Sequence, residues 1–220
     1  MMESIFEIMF SNISFEPSIS VLWIDLSNHF SKDRDKILHC LSTSGAESVE
    51  QFYYHSEDFS CDGSGENHYT GNISEIADAF LCGSMDLIVC CVPLNFYASP
   101  FDLLEKMASI RSQDGHILIL WENAYNIKML KYMFGMEQDL ESRAFLPIPI
   151  TDLSDFINKN IQNLKHTVYS GNQIVNVEDQ CLIRTIPSLF PNGLNLTQIL
   201  STNWFYVIIS NQGEDTINRN

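Results

Sequence analysis

The chain has 220 residues, of which 45% are hydrophobic and 18% are charged, a composition that supports a packed core and excludes global disorder. Its 28 acidic residues outnumber its 12 basic residues and leave a formal net charge of -16. Because nucleic acids and anionic membrane surfaces are bound mainly through Lys and Arg, this balance argues against both kinds of partner.

Membrane and export signals are weak in the sequence. The longest apolar segments, residues 87–94 and 117–121, are far shorter than the ~20 residues of a transmembrane helix, so we expect no membrane insertion. Glu3 and Glu7 lie where a signal peptide would carry lysines. The six cysteines form no Cys-x-x-Cys pair and have no histidine at zinc spacing. We therefore expect reduced thiols, no metal site and a cytoplasmic location.

Segments typical of strands and helices alternate along the chain. A short apolar run predicts a strand over residues 20–26, and helical spacing behind a serine predicts a helix over residues 31–41. A second strand is expected over residues 49–54, a loop over residues 60–67 and a short helix over residues 74–80. The next strand, residues 85–92, ends before a proline, and an amphipathic helix is predicted over residues 100–109.

The second half continues the same alternation. Asp114-Gly115 predicts a turn before a strand over residues 117–121, and helical spacing over residues 126–134 ends at a glycine. Thr151 is expected to cap a helix over residues 152–159, and residues 204–210 have the pattern of a late strand. Since parallel strands need crossover helices, this order favours an α/β fold with a doubly wound, mostly parallel sheet, helices on both faces and an antiparallel late strand. We expect one domain over residues 1–210 and a polar tail over residues 211–220.

Residues 85–135 carry motifs of a known enzyme family. They read MDLIVCCVPLNFYASPFDLLEKMASI, followed by RSQDGHILILWENAYNIKMLKYMFG. This segment resembles the second half of class I S-adenosylmethionine-dependent methyltransferases, which carry an FDLI strand, a KPGG turn and a strand end of the form PNxxN. The Asn-Ala-Tyr-Asn ending at residues 123–126 looks like that of methyltransferases of sugar and cell-envelope biosynthesis. With weaker matches upstream, the resemblance covers roughly residues 21–209 and implies a Rossmann-like fold.

The resemblance implies a cofactor site whose first glycine-rich turn is changed. Members of the family end their first strand in a pattern such as V-L-[DE]-h-G-x-G-x-G, because the cofactor approaches the backbone where no Cβ obstructs it. Here the three glycine positions are Asp25, Ser27 and His29, and the acidic position is Trp23. We expect these side chains to narrow the turn. Asp25 would also place a carboxylate near the carboxylate of the cofactor, and repulsion between these like charges would weaken cofactor binding.

The second strand of the family ends in an acid that accepts hydrogen bonds from the ribose of the cofactor. Tyr54 or His55 stands at this position in the present sequence. Glu57 or Asp58 replaces the acid only if the alignment shifts.

Two later motifs differ in the same way. Gly71 and Asn72, followed by Ile73, occupy the place of the Gly-Asp motif, where Asn72 keeps hydrogen-bonding capacity for an adenine edge but loses the charge. After the fourth strand, a Leu-Glu-His motif is replaced by residues 94–96, so Phe96 stands in place of a potential base. The cofactor-binding positions implied by the resemblance are therefore degenerate.

The charge pattern changes along the same half of the chain. Residues 37–105 contain no Lys or Arg and eleven acidic residues. On the resemblance, much of this stretch lines the carboxyl edge of the sheet, where an acidic rim would repel phosphorylated substrates and attract basic partners. A solvated acidic face that keeps the protein soluble is the alternative interpretation.

Three hypotheses for function follow. The first is a non-catalytic methyltransferase-like protein, or pseudoenzyme, that acts as a partner or scaffold subunit in glycan or cell-envelope biosynthesis; it expects no cofactor, and a protein partner or a second copy of the chain. The second is an active S-adenosylmethionine-dependent methyltransferase acting on a sugar or small metabolite through a remodelled cofactor loop, with His29, His55 or Glu122 as base. The third is a cleft that binds a different small ligand.

Overall fold

A computed structural model describes residues 5–11, 13–26, 31–57, 67–126, 131, 148–161, 163–171, 202 and 204–211. Its strands are β1 (Ser18–Ile24), β2 (Ser48–Ser56), β3 (His68–Gly71), β4 (Met85–Cys90), β5 (Arg111–Glu122), β6 (Leu164–Ser170) and β7 (Trp204–Asn211). Its helices are α1 (Ile5–Phe10), α2 (Ser31–Thr43), α3 (Ile76–Ala79), α4 (Pro100–Ile110) and α5 (Ile150–Asn160). Short 3-10 turns span Ile73–Glu75 and Leu94–Phe96.

The seven strands form a single sheet in the order β3-β2-β1-β4-β5-β7-β6. The first five strands pair in parallel, and β7 pairs antiparallel with both β5 and β6. This topology confirms the predicted doubly wound α/β fold, including the antiparallel late strand. No helix within the described ranges has the length and apolar character needed to cross a membrane.

Both faces of the sheet are covered, which explains the continuous apolar runs of its central strands. On one face, Leu22 and Ile88 belong to a core that α3, α4 and α5 complete. On the other face, Val21 and Leu87 pack with residues of α1 and α2. Because side chains alternate along a strand, β1 and β4 supply both cores at once.

Two local predictions were wrong. Asp114 and Gly115 lie inside β5, where the pairing with β4 shifts between Met85 and Leu87, and do not form a turn before the strand. Thr151 lies within α5, which begins at Ile150 after Pro149, so it does not cap the helix. Pro149 has extended backbone angles and is itself the residue that precedes the helix.

Other expectations fall partly or wholly outside the described residues. Of the helix predicted over residues 126–134, only residues 126 and 131 are described, and of the loop over residues 60–67 only residue 67 is. Asn211 ends β7, and the rest of the predicted tail, residues 212–220, is outside the described part. Sequence analysis did not predict the helix α1 or the strands β3 and β6. The two strands lie at the sheet edges and carry polar residues among the apolar ones, so their sequences lack the continuous apolar runs of the central strands.

Candidate functional site

The site lies where the strand order reverses. From β1 the chain moves outward to β2 and β3, and then returns to β4 on the opposite side of β1. In open α/β sheets, ligands bind outside the carboxyl ends of the strands at such a switch point. The strand ends that meet here are those of β1, β2 and β4, followed by Asp25, Glu57 and Cys91.

Asp25 continues the pairing of β1 and then turns the chain. Its backbone nitrogen donates to the Tyr54 oxygen at 2.8 Å, while the Cys91 nitrogen donates to the Ile24 oxygen at 3.0 Å. The φ angle of Asp25 is 51°, in the left-handed region that glycine adopts freely and that aspartate tolerates better than most residues. The chain therefore makes a glycine-type turn with a residue that carries a carboxylate.

The Asp25 carboxylate is directed at its neighbours in the sheet edge. It accepts hydrogen bonds from the Ser56 nitrogen at 2.7 Å, from Ser56 Oγ at 2.9 Å and from Tyr97 Oη at 2.5 Å. The side chain is 0% exposed, and these bonds compensate for its desolvation. The expected approach of Asp25 toward a cofactor carboxylate is thus replaced by a buried network with β2 and the turn after β4.

Two further groups of this network hold their protons. Burial, together with Cys90 and Asp25, raises the pKa of Tyr97 far above its usual range, so the hydroxyl stays a donor. Burial and the nearby Asp25 raise the pKa of the Cys90 thiol to about 12, and its Sγ donates to the Val92 oxygen at 3.2 Å. Cys90 is therefore not a nucleophile at neutral pH.

Tyr54 links β2 to the end of β3. Its side chain is buried, and its Oη donates to the Asn72 oxygen at 2.8 Å. Burial and the neighbouring Glu75 raise the pKa of Tyr54. The single proton of this hydroxyl is therefore directed at the backbone after β3, and the side chain carries no carboxylate.

Asn72 and Ile73 lie at the start of the first 3-10 turn. The Asn72 side chain accepts a hydrogen bond from the Ser74 nitrogen at 3.0 Å and so caps this turn. Asn72 is exposed, whereas Ile73 is partly buried against the core. Ser27, His29 and Asp58 lie outside the described residues, and Glu57 is exposed.

His55, a candidate base, pairs with His68 on the neighbouring strand. His55 Nε2 and His68 Nδ1 are 3.3 Å apart while the ring centroids are 5.6 Å apart, so the two nitrogens lie between the rings. His55 Nδ1 is buried with no partner among the described residues, and we therefore assign the proton to Nε2. Burial and the adjacent His68 lower the pKa of His55. Neither ring nitrogen of His55 is available to a substrate.

Two buried asparagines fix the ends of β4 and β5: Asn95, which sequence analysis did not single out, and Asn123, which begins the Asn-Ala-Tyr-Asn motif. Asn95 exchanges two hydrogen bonds with the backbone of Glu122, whose side chain is itself buried. Asn123 donates through Nδ2 to the Thr202 oxygen at 2.7 Å and accepts from the Tyr125 nitrogen at 2.9 Å. Ser56, Tyr97 and Asn95 were missed because a single sequence does not show which strand ends meet.

No metal site accompanies these groups in the described residues. No set of three His, Cys, Asp or Glu side chains within those ranges is placed to hold a metal ion.

Comparisons with known proteins agree on the fold. No family model matches the sequence, and no curated protein matches it. Among solved structures, a SAM-dependent methyltransferase from Archaeoglobus fulgidus is 17% identical, with a TM-score of 0.51 and 94% of both chains covered. The trans-methyltransferase CalH in complex with SAH is 12% identical, with a TM-score of 0.52, and covers 94% of this chain and 54% of that one.

A third structure is a complex with a second protein. A protein described as a methyltransferase, in complex with the Haloferax volcanii Trm112 methyltransferase activator, is 9% identical, with a TM-score of 0.51 and coverages of 92% and 86%. At these identities the comparisons establish the architecture alone. The chain has the Rossmann-like fold of the SAM-dependent methyltransferases.

Proposed function

We propose that the protein is a non-catalytic methyltransferase-like subunit that acts by binding another protein. The observation that carries this proposal is the buried Asp25 carboxylate at the switch point, held by Ser56 and Tyr97. A cofactor that reached this turn would have to displace a charged group from three hydrogen bonds. Removing a buried charge from its partners is costly, so the network opposes cofactor binding at this turn.

The arrangement of candidate bases supports the same proposal. A general base must lie within hydrogen-bond reach of the proton that it removes. The ring nitrogens of His55 are occupied or buried, and Glu122 is 7% exposed. Both described candidates are therefore largely buried.

Surface charge suggests the chemistry of the partner. The described acidic residues of the stretch without Lys or Arg are mostly exposed: Glu47, Glu50, Glu57, Glu75, Asp78, Asp102 and Glu105. Opposite charge accelerates association and selects partners, so we expect a partner with a basic surface. A second copy of this chain would carry the same acidic surface, and we therefore favour a different protein over a homo-oligomer.

The pathway and the location belong to the same proposal. The Asn-Ala-Tyr-Asn sequence that follows β5, residues 123–126, supports a role in glycan or cell-envelope biosynthesis, beside an active enzyme. The four described cysteines, Cys40, Cys82, Cys90 and Cys91, are free thiols, which supports a cytoplasmic location.

An active methyltransferase is the second candidate, and one observation favours it. Asp25 retains a left-handed φ of 51°, so the backbone follows the path that a glycine would give it. If the cofactor binds along this path, catalysis would rest on proximity and alignment of the methyl group with its acceptor. The acceptor would then be a sugar or a small metabolite.

Calorimetric titration with S-adenosylhomocysteine separates the two candidates. We expect no heat of binding and no thermal shift from the wild-type protein. A dissociation constant of about 1 μM or tighter, roughly -8 kcal/mol, would overturn the non-catalytic proposal and establish cofactor binding. The variant Asp102→Asn, which removes an exposed charge from α4, is the matched control for nonspecific electrostatic heat.

A further inference from the structure

The donors that hold Asp25 are each fixed by other parts of the fold. Ser56 ends β2 and pairs with Gly71 of β3, and the Glu57 nitrogen donates to the Gly71 oxygen at 3.2 Å. The Tyr97 nitrogen donates to the Leu94 oxygen at 3.2 Å and so closes the second 3-10 turn. None of these backbone bonds involves Asp25, so the backbone at Ser56 and Tyr97 is held independently of the Asp25 side chain.

The donor set has the chemistry of a carboxylate site. The backbone N–H and hydroxyl of Ser56 and the hydroxyl of Tyr97 converge on one carboxylate, at distances of 2.7, 2.9 and 2.5 Å. Hydrogen bonds from such donors to an ionised oxygen are about twice as strong as bonds between neutral groups. The site is also desolvated, because Asp25 is 0% and Ser56 is 4% exposed.

We propose that Ser56 and Tyr97 form a carboxylate-binding site at the switch point, and that Asp25 is its internal occupant. Removal of the Asp25 side chain opens the site to a small free carboxylate. The occupancy is an autoinhibitory contact, since a ligand with a carboxylate must compete with a group of the chain itself. The link between this contact and the absence of cofactor binding rests on the proposed function. The carboxylate site itself does not depend on that function.

Sodium acetate is the probe for this site, because its methyl and carboxylate match the atoms that Asp25→Gly removes. Glycine suits the φ angle of 51°, so the substitution does not strain the backbone. We expect acetate at a hundredfold its dissociation constant to raise the melting temperature of Asp25→Gly by about 5 °C or more, relative to sodium chloride at equal ionic strength. An equal response to the two salts would overturn the proposal.

Three variants make the test specific. Asp25→Asn keeps an occupant of the same shape, so neither it nor the wild type should respond to acetate. Adding Tyr97→Phe to Asp25→Gly removes one donor and should weaken acetate binding about tenfold. Tyr53→Phe is the matched control, because its hydroxyl on β2 donates to Gln51 Oε1 at 3.0 Å and not to Asp25. It should leave acetate binding unchanged.

The remaining outcomes of the experiment also support or overturn the carboxylate-site proposal. If Asp25→Gly is unfolded in chloride, recovery of its far-ultraviolet circular dichroism in acetate supports the site, and failure of acetate to restore the signal overturns it. The acetate titration is independent of the titration with S-adenosylhomocysteine. Binding of S-adenosylhomocysteine by the wild-type chain would overturn the proposed function. Failure of acetate to stabilise Asp25→Gly would overturn the carboxylate-site proposal and leave the proposed function standing.

Discussion

Asn95 and Glu122 are joined by two reciprocal hydrogen bonds, although 27 positions separate them in the sequence. Asn95 Nδ2 donates to the Glu122 oxygen at 3.1 Å, and the Glu122 nitrogen donates to Asn95 Oδ1 at 3.0 Å. The Asn95 side chain thus bonds the Glu122 backbone in the way that a neighbouring strand would. It connects the 3-10 turn that precedes Tyr97 to the end of β5.

Replacement of Asn95 by leucine should therefore destabilise the protein strongly. The change removes both hydrogen bonds that the Asn95 side chain makes with the backbone of the buried residue Glu122, and we expect a loss of about 3 kcal/mol in the free energy of unfolding. Urea denaturation measures the loss. Asn160→Ala is the control, because Asn160 is exposed and its Nδ2 donates to the Phe156 oxygen of the same helix, and it should change stability by less than about 0.5 kcal/mol.

Gly71 and Tyr54 should show energetic coupling. A Cβ at Gly71 would lie 2.9 Å from Tyr54 Oη, and because the Tyr54 ring is buried in the core, Gly71→Ala should cost about 2 kcal/mol. In the Tyr54→Phe background the obstructing oxygen is gone, and the same change should cost less than about 1 kcal/mol. Denaturant unfolding of the four proteins gives the coupling energy. Strict additivity would show that the two residues do not meet.

His116 should make stability depend on pH. Burial and the nearby Arg111 and Lys165 lower its pKa to about 4, against the opposing influence of Asp114 and Asp86. The unfolded chain then binds a proton near the ordinary pKa of 6.5 while the folded chain does not. Its contribution is fully present above pH 6.5 and is lost as the pH falls to about 4, a difference of roughly 3 kcal/mol.

The variant His116→Gln isolates this contribution. Its free energy of unfolding should fall less steeply than that of the wild type between pH 6.5 and 4, when both are measured by urea titration. His39→Gln, an exposed substitution on α2, should retain the wild-type slope. Parallel curves for His116→Gln and the wild type would contradict the assignment.

The described cysteines should differ sharply in reactivity. Cys82 is exposed, whereas Cys40, Cys90 and Cys91 are buried. Burial also raises the pKa of Cys40, with a smaller contribution from Glu7, and that of Cys90 to about 12, so little of either is present as thiolate at neutral pH. Brief treatment of the native protein with iodoacetamide should label Cys82 and leave the three buried thiols unmodified until urea is added. Mass spectrometry of the peptides reads the pattern, and native labelling of Cys90 would contradict it.

The fold was more predictable than the site for a physical reason. Apolar runs such as those of β1 and β4 report burial directly, because each residue of a central strand faces one of two cores. Gly115 shows where this reasoning fails. Its sequence context suggests a turn, yet it lies within β5, where a Cβ would meet the Met85 oxygen at 2.7 Å. The reason for the glycine is a contact with a residue 30 positions away.

The candidate site was harder to predict than the fold, because it is formed by contacts between residues that are distant in the sequence. The resemblance marked Asp25 as a changed glycine position, and its left-handed φ agrees with that position. The partners Ser56 and Tyr97 have no local signal, because their role arises only when the ends of β1, β2 and β4 come together. The direction of the Asp25 carboxylate could not be inferred from its residue type alone.

The strand order also constrains how the chain can be completed during synthesis. In the described sheet, β7 lies between β5 and β6, although β6 precedes it in the sequence. While the chain grows, residues 111–122 and 164–170 therefore present unpaired strand edges until residues 204–211 have left the ribosome. Of the described strands, β7 is made last, and it joins β6 to β5. A stop codon shortly before position 204 would yield a chain in which β5 lacks one neighbour and β6 lacks its β7 partner, and these unpaired strands would favour aggregation.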